Sequence, residues 1–215
     1  MNDYYETNGD VMVEHGVPGS LLRIIFKSVE EHLGEKGLRL LLTQAKMTEF
    51  LENPPPDIDT PVLETERLKN AIGVVINLFG EKAAKPLLLR WGKLSFDYAI
   101  EKKPALFGLA GFVTKFMGDE EKIRFILKKS LKEAESFYGA PHFLTETPDS
   151  FNVEIKNCFY CGNVKSDQCV CWVTIGFWKS MLKWATGKEY NVRETECMAM
   201  GAESCKYTIP KKAIE

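Results

Sequence analysis

Residues 190–209, YNVRETECMAMGAESCKYTI, contain two segments of strand-like alternation joined by a short connection. Side chains two residues apart lie on the same face of a strand. The two predicted faces consist of Tyr190, Val192 and Glu194 in the first segment and Cys205, Tyr207 and Ile209 in the second. Gly201 permits a tight turn between them. The stretch therefore predicts the end of a small sheet, where Cys197 and Cys205 meet.

The preceding part of the chain has a helical pattern from residue 18 to about residue 138. Apolar residues recur at helical spacing in six segments, which end near residues 34, 50, 80, 98, 117 and 138. Gly34, Gly80 and the NPPP run at residues 53–56 are strong helix terminators. The segment at residues 105–117 is nearly all apolar, which predicts a buried helix.

After Pro141 the period of the apolar residues changes from 3.6 to 2. A strand is predicted where apolar and polar side chains alternate, at Phe151, Val153 and Ile155. Residues 171–186 predict one further amphipathic helix, which Gly187 ends. The sequence thus predicts an α+β fold, in which N-terminal helices pack on a small antiparallel β-sheet and one helix crosses that sheet.

Composition and charge exclude several classes of protein. The chain of 215 residues has a net charge of -2, which argues against direct binding to nucleic acid or to anionic lipid. The first ten residues, MNDYYETNGD, lack the basic start and apolar run of a secretory signal, and no apolar stretch is long enough to span a membrane. We expect a cytoplasmic protein without a nucleotide-binding glycine loop or a recognisable DNA-binding helix pair.

All six cysteines lie between residues 158 and 205. In a reducing compartment, clustered cysteines favour metal binding over disulfides. Cys171, Glu194, Cys197 and Cys205 read C-x22-E-x2-C-x7-C, which supplies three thiolates and one carboxylate for a tetrahedral zinc site. Because this set leaves no open position, it predicts a structural zinc. Glu196 is the rival carboxylate, but it neighbours Cys197 and would point to the opposite face.

The remaining cysteines leave several interpretations open. Cys158 and Cys161 form a C-x2-C pair, and Cys169 follows them. The pair could belong to a second metal site with Cys169, in which Cys171 would have to be shared, or to an all-cysteine site with Cys197 and Cys205 that holds zinc or an iron–sulfur cluster. A redox pair or plain structural thiols are the other interpretations.

Several segments resemble the 4-vinyl reductase domain family. The segments are SFNVEI at residues 150–155, VCWVTIGF at 170–177 and NVRETECMAMGAESCKYTI at 191–209. In the helical part, GLRLLLTQA at 37–45 and LFGEKAAKPLLLRWGK at 78–93 are similar to stand-alone members. The family includes sensor domains of aromatic-responsive transcription activators, and it is related in fold to small subunits of the TRAPP tethering complex.

The resemblance implies how the chain is organised and what it binds. At matching positions, aromatic sensors bind zinc, which implies that role for Cys171, Glu194, Cys197 and Cys205. The implied divisions are a tail at 1–17, the helical part of a ligand-binding domain at 18–140, a metal-binding β-rich part at 141–210 and a tail at 211–215. The resemblance also implies a homodimer and an enclosed apolar pocket between helices and sheet.

Aromatic side chains are the candidates for the lining of that pocket: Trp91, Tyr98, Phe112, Phe116, Tyr138 and Trp178. The aromatic sensors use a Trp and a His to contact phenol, and neither can be assigned here from the sequence. His142 is more typical of a surface or core histidine. The ligand is therefore an unknown apolar or aromatic molecule.

Three functions compete at this stage. The favoured one is a small-molecule sensor domain with a structural zinc, which signals through a partner protein and has no assigned catalytic residue. The second is a tetrapyrrole-related reductase or electron-transfer protein that uses the extra cysteines, although no dinucleotide motif supplies hydride. The third is a structural or assembly module, by analogy of fold.

Overall fold

The computed structural model describes residues 16–102, 116–161 and 163–214. In these ranges the chain forms the predicted α+β fold. Its helices are α1 (Gly19–Gln44), α2 (Thr65–Lys102), α3 (Asp119–Tyr138) and α4 (Trp172–Thr186). Its strands are β1 (Gly16–Pro18), β2 (Pro61–Glu64), β3 (His142–Glu146), β4 (Ser150–Lys156), β5 (Arg193–Glu196) and β6 (Ser204–Pro210).

The long helices α1 and α2 are each interrupted at a predicted glycine. Gly34 and Gly80 have φ angles of 71° and 72°, in the left-handed region where an α-helix cannot continue. The predicted second helix is shorter than expected, because α1 ends at Gln44 and Thr48–Phe50 forms a separate 3-10 turn. The predicted helix at 105–117 falls almost wholly outside the described residues. Among the helices that are described, none is long and apolar enough to cross a membrane.

Strands β1 and β2 form a small antiparallel pair at the starts of α1 and α2. Val17 pairs with Leu63, and both side chains are buried. The predicted tail at residues 1–17 thus overlaps β1 by two residues, Gly16 and Val17.

The main sheet has four antiparallel strands in the order β3-β4-β6-β5. The alternation in the sequence is confirmed in β4 and β6, where every second residue faces the core: Phe151, Val153, Ile155, Cys205, Tyr207 and Ile209 are buried. Strand β3 was not predicted. The predicted first face of residues 190–194 is only partly a strand, because β5 begins at Arg193, although Tyr190 and Val192 are buried before it.

Helix α4 packs between the sheet and α2. Against the sheet, the ring of Trp178 meets the ring of Tyr207 edge to face, with 4.9 Å between centroids. Against α2, Gly92 and Gly176 allow the two helices to touch backbone to backbone. A Cβ atom on Gly92 would overlap the carbonyl oxygen of Val173, and one on Gly176 would overlap the carbonyl oxygen of Leu89. This close contact fixes the position of α4.

Candidate functional site

Five cysteines lie together where β4 ends and β6 begins, and each is at most 6% exposed. Different elements contribute them: Cys158 follows β4, Cys161 ends a 3-10 turn, Cys171 caps the N-terminus of α4, Cys197 follows β5, and Cys205 lies in β6. All five are free thiols. We call them the thiol cluster.

The connection between β5 and β6 brings two of these thiols together in the way that the sequence predicts. Gly201 has a φ of 92° and ends the 3-10 turn Met198–Met200. The backbone N–H of Met198 donates to Cys205 Sγ at 3.4 Å. The Sγ atoms of Cys197 and Cys205 are 3.9 Å apart as a result.

The three predicted cysteine ligands form a triangle of metal-site dimensions. Cys171 Sγ lies 3.9 Å from Cys197 Sγ and 3.7 Å from Cys205 Sγ. A tetrahedral zinc ion with Zn–S bonds of about 2.3 Å holds its sulfurs about 3.8 Å apart. The three Cys–Cys distances match one face of such a tetrahedron.

Glu194 lies within reach of the same triangle, and its carboxylate atoms group with the three thiols. Its Oε2 atom accepts the backbone N–H of Cys171 at 2.9 Å, but its buried Oε1 atom has no hydrogen-bond partner among the described residues. Burial, and then the nearby Cys197, raise the pKa of this carboxyl to about 8. A bound cation would reverse that shift and satisfy Oε1. The rival Glu196 instead pairs with Lys206 at the surface, at 3.0 Å.

Cys161 and Cys158 join the other thiols in a second group. Cys161 Sγ lies 3.5 Å from Cys171 Sγ, 3.8 Å from Cys197 Sγ and 3.2 Å from Cys205 Sγ. Cys158 Sγ lies 3.6 Å from Cys171 Sγ. Cys158, Cys161, Cys171 and Cys205 therefore form a second four-donor group, which shares Cys171 and Cys205 with the first.

The spacing of the thiols also bears on the kind of metal. An iron–sulfur cluster places several irons and sulfides between its thiolates, which holds those sulfurs far apart. Sulfurs at 3.2–3.9 Å fit around a single soft ion instead. Burial raises the pKa of the Cys171 thiol well above its usual range, so a cation is needed to make it a thiolate.

Cys169, predicted as a donor of a second site, is not brought to the thiol cluster. Its Sγ contacts Met200 Sδ at 3.7 Å and it belongs to neither four-donor group. Its side chain is partly exposed, and burial raises its pKa to about 11.

A cavity of about 520 Å³ lies between the helices and the sheet. Its wall is mainly apolar and aromatic and includes Ile25, Leu68, Ile72, Phe125, Met181 and Trp184. Of the predicted lining residues, Trp91, Tyr98 and Trp178 are part of this wall.

The other predicted lining residues have different outcomes. Phe116 is 84% exposed on the turn before α3 and is not part of the wall. Phe112 lies outside the described residues, and Tyr138 is described only as the last backbone position of α3. Sequence reasoning missed Phe125, although it lies in the helix that the apolar spacing before Gly139 predicts.

His142 also lines the cavity, contrary to the interpretation that it is an ordinary surface or core residue. Its Nδ1 atom lies 2.5 Å from the carbonyl oxygen of Ala140, so the ring is oriented by the backbone. Burial lowers its pKa, which favours the neutral imidazole.

Helix α4 connects the thiol cluster to the cavity. Cys171 lies at its N-terminus, and Thr174, Trp178 and Met181 along it line the cavity. Trp178 packs on Tyr207, whose hydroxyl lies 4.0 Å from Cys158 Sγ. One rigid helix thus carries groups of both sites.

Comparisons with known proteins agree with this geometry. Residues 151–211 match the family model of the 4-vinyl reductase domain. No match is found among curated proteins. The phenol-responsive sensory domain of the transcription activator PoxR, solved with phenol, is similar at a TM-score of 0.50 and 18% identity, over 69% of this chain and 74% of that one.

Structures of H-NOX proteins are similar in fold over more of the chain. The H-NOX protein from K. algicida has a TM-score of 0.59 and 12% identity, over 92% of this chain and 98% of that one. The H-NOX protein from S. oneidensis has a TM-score of 0.59 and 11% identity, over 93% of this chain and 100% of that one. At such identities these likenesses concern the fold alone. Through residues 151–211, the chain belongs to the 4-vinyl reductase domain family.

Proposed function

We propose that this chain is a small-molecule sensor domain that holds an apolar or aromatic molecule in its cavity. The observation that carries the proposal is the apolar cavity of about 520 Å³, a size typical of small-molecule sites. The family match and the phenol-responsive PoxR neighbour support it. An assembly module would need no such cavity, so the cavity favours ligand binding over a purely structural role.

We further propose that Cys171, Glu194, Cys197 and Cys205 hold a structural zinc ion. The triangle of thiols and the unpartnered Oε1 of Glu194 support this set. With four protein donors and no open position, the ion would cross-link α4, β5 and β6 rather than activate water. The proposed domain acts in the cytoplasm as a homodimer and passes its signal to a partner protein.

Ligand binding is expected to change the fluorescence of the tryptophans, because Trp91, Trp178 and Trp184 all line the cavity. Titration with a panel of aromatic, tetrapyrrole and lipid-like compounds should give at least one that shifts the emission and raises Tm. At one hundred times Kd, a ligand stabilises the folded state by about 2.7 kcal/mol. Absence of any shift across the panel would refute the sensor proposal.

A matched pair of variants separates cavity binding from surface binding. Ala134→Phe places a large ring in the cavity wall and should abolish the ligand-induced rise in Tm. Ala83→Phe adds the same ring on the exposed side of α2, away from the cavity, and should leave the response intact. Equal responses from the two variants would show that the ligand binds elsewhere.

We also propose that Cys158 and Cys161 form, with Cys171 and Cys205, a second set of metal donors. Five thiols and one carboxylate supply the six donors that two four-coordinate ions need when they share two thiolates. Native mass spectrometry of protein purified without oxygen should then show two metal ions per chain. Cys158→Ser should reduce this to one, and a single ion in the parent protein would contradict the second set.

A further inference from the structure

Two polar atoms in the cavity wall lack hydrogen-bond partners. In the part of the chain that the structure describes, four buried side-chain nitrogen or oxygen atoms are unpartnered: Ser28 Oγ, Trp91 Nε1, Thr174 Oγ1 and Glu194 Oε1. Glu194 belongs to the metal centre, whereas Trp91 and Thr174 line the cavity and are only 2% and 4% exposed. The cavity wall therefore has two polar groups that the described protein atoms do not satisfy.

Such groups are rare in native proteins because burial removes their bonds to water. A helical threonine commonly donates its hydroxyl to the carbonyl one turn earlier, as Thr186 does on the same helix, to Leu182 at 2.8 Å. Thr174 makes no such bond. Packing alone would be served equally well by valine, which has the same shape without the hydroxyl.

Both groups are held in fixed positions. Trp91 precedes Gly92, and Thr174 lies two residues before Gly176, so both lie beside the glycines at which α2 and α4 touch. Rotation or translation of either helix is blocked by the backbone contact there. The two polar atoms are thus presented to the cavity by a pair of helices in backbone contact.

The chemistry of the two groups defines what satisfies them. An indole N–H only donates a hydrogen bond, and a hydroxyl donates or accepts one. We infer that the occupant of the cavity is an apolar molecule with a neutral oxygen, either hydroxyl or carbonyl, which binds Trp91 Nε1 and Thr174 Oγ1. This inference rests on the proposed sensor function and specifies its ligand class.

The test compares two probes with the same ring body, naphthalene and 2-naphthol, by calorimetric titration of the full chain. The parent protein should bind 2-naphthol at least about tenfold more tightly than naphthalene, since a site built around a hydrogen bond rejects the analogue that lacks it. Trp91→Phe and Thr174→Val should each reduce this preference at least about threefold, chiefly by weakening the binding of 2-naphthol.

Thr186→Val is the matched control, because it removes a hydroxyl that is already bonded on the same helix and does not line the cavity. It should leave the preference unchanged. Equal affinity of the parent for both probes would overturn the inference while the sensor function stands. Failure of both probes to bind would count against the sensor function and the inference together.

A second measurement needs no ligand. Thr174→Val replaces an unpartnered buried hydroxyl by a methyl group of the same size, so it should raise the Tm of the ligand-free protein. Thr186→Val should lower it. A fall in Tm for Thr174→Val would mean that the hydroxyl already has a partner in the ligand-free protein, and the inference would be overturned.

Discussion

Serine in place of Cys197 or Cys205 should lower the free energy of unfolding by at least about 3 kcal/mol, because the binding of a structural metal is part of the free energy of folding. Both thiols are fully buried and lie in the triangle with Cys171. Loss of either one leaves two thiols and a carboxylate, which bind a metal far more weakly. Urea unfolding followed by circular dichroism measures the change, with the metal content of each variant determined in parallel.

Two other cysteines provide graded controls. Cys169→Ser should change stability by less than about 0.5 kcal/mol, because this partly exposed thiol lies outside both donor groups. Cys158→Ser should fall between the two cases, since it removes a thiol from the cluster but leaves the triangle intact. If Cys205→Ser proved as stable as the parent protein, the structural metal would have to be abandoned.

Alanine in place of Gly176 should destabilise the fold by about 2–4 kcal/mol, at the upper end of overpacking effects. The added Cβ would overlap the backbone carbonyl of Leu89 on α2, and a backbone atom cannot move aside as a side-chain tip can. The helices would have to separate, which would also deform the cavity between them. We expect a lower Tm together with a weakened or lost response to ligands.

Gly118→Ala is the control for this substitution. Gly118 precedes α3, has a φ of -67°, and has no atom within 4 Å of the position of an added Cβ. Its effect should stay below about 1 kcal/mol, the range for an N-cap exchange. If the two alanine variants had equal stability, the close contact between α2 and α4 would be of no consequence.

The sequence was most informative where chemistry and local geometry coincide. The alternation of residues 151–155 and 205–209 identified β4 and β6, and the C-x22-E-x2-C-x7-C spacing identified donors that the fold brings together. Gly34 and Gly80 marked the helix interruptions because a left-handed φ is a local property.

Features that depend on contacts between distant segments could not be predicted in this way. The approach of Cys161 to Cys171, Cys197 and Cys205 results from how the 3-10 turn docks, which no spacing encodes. The cavity likewise depends on how the helices pack on one another, so the aromatic stripes identified Trp91 and Trp178 but also wrongly included the exposed Phe116.

The position of Cys171 at the start of α4 has a thermodynamic consequence. If the metal orders the helix that forms the cavity wall, occupancy of one site changes the affinity of the other. Linkage requires the two effects to be equal: the factor by which metal strengthens ligand binding is the factor by which ligand strengthens metal binding. The domain would then respond to the supply of its metal as well as to its ligand, and a bound ligand would slow the loss of metal to a chelator.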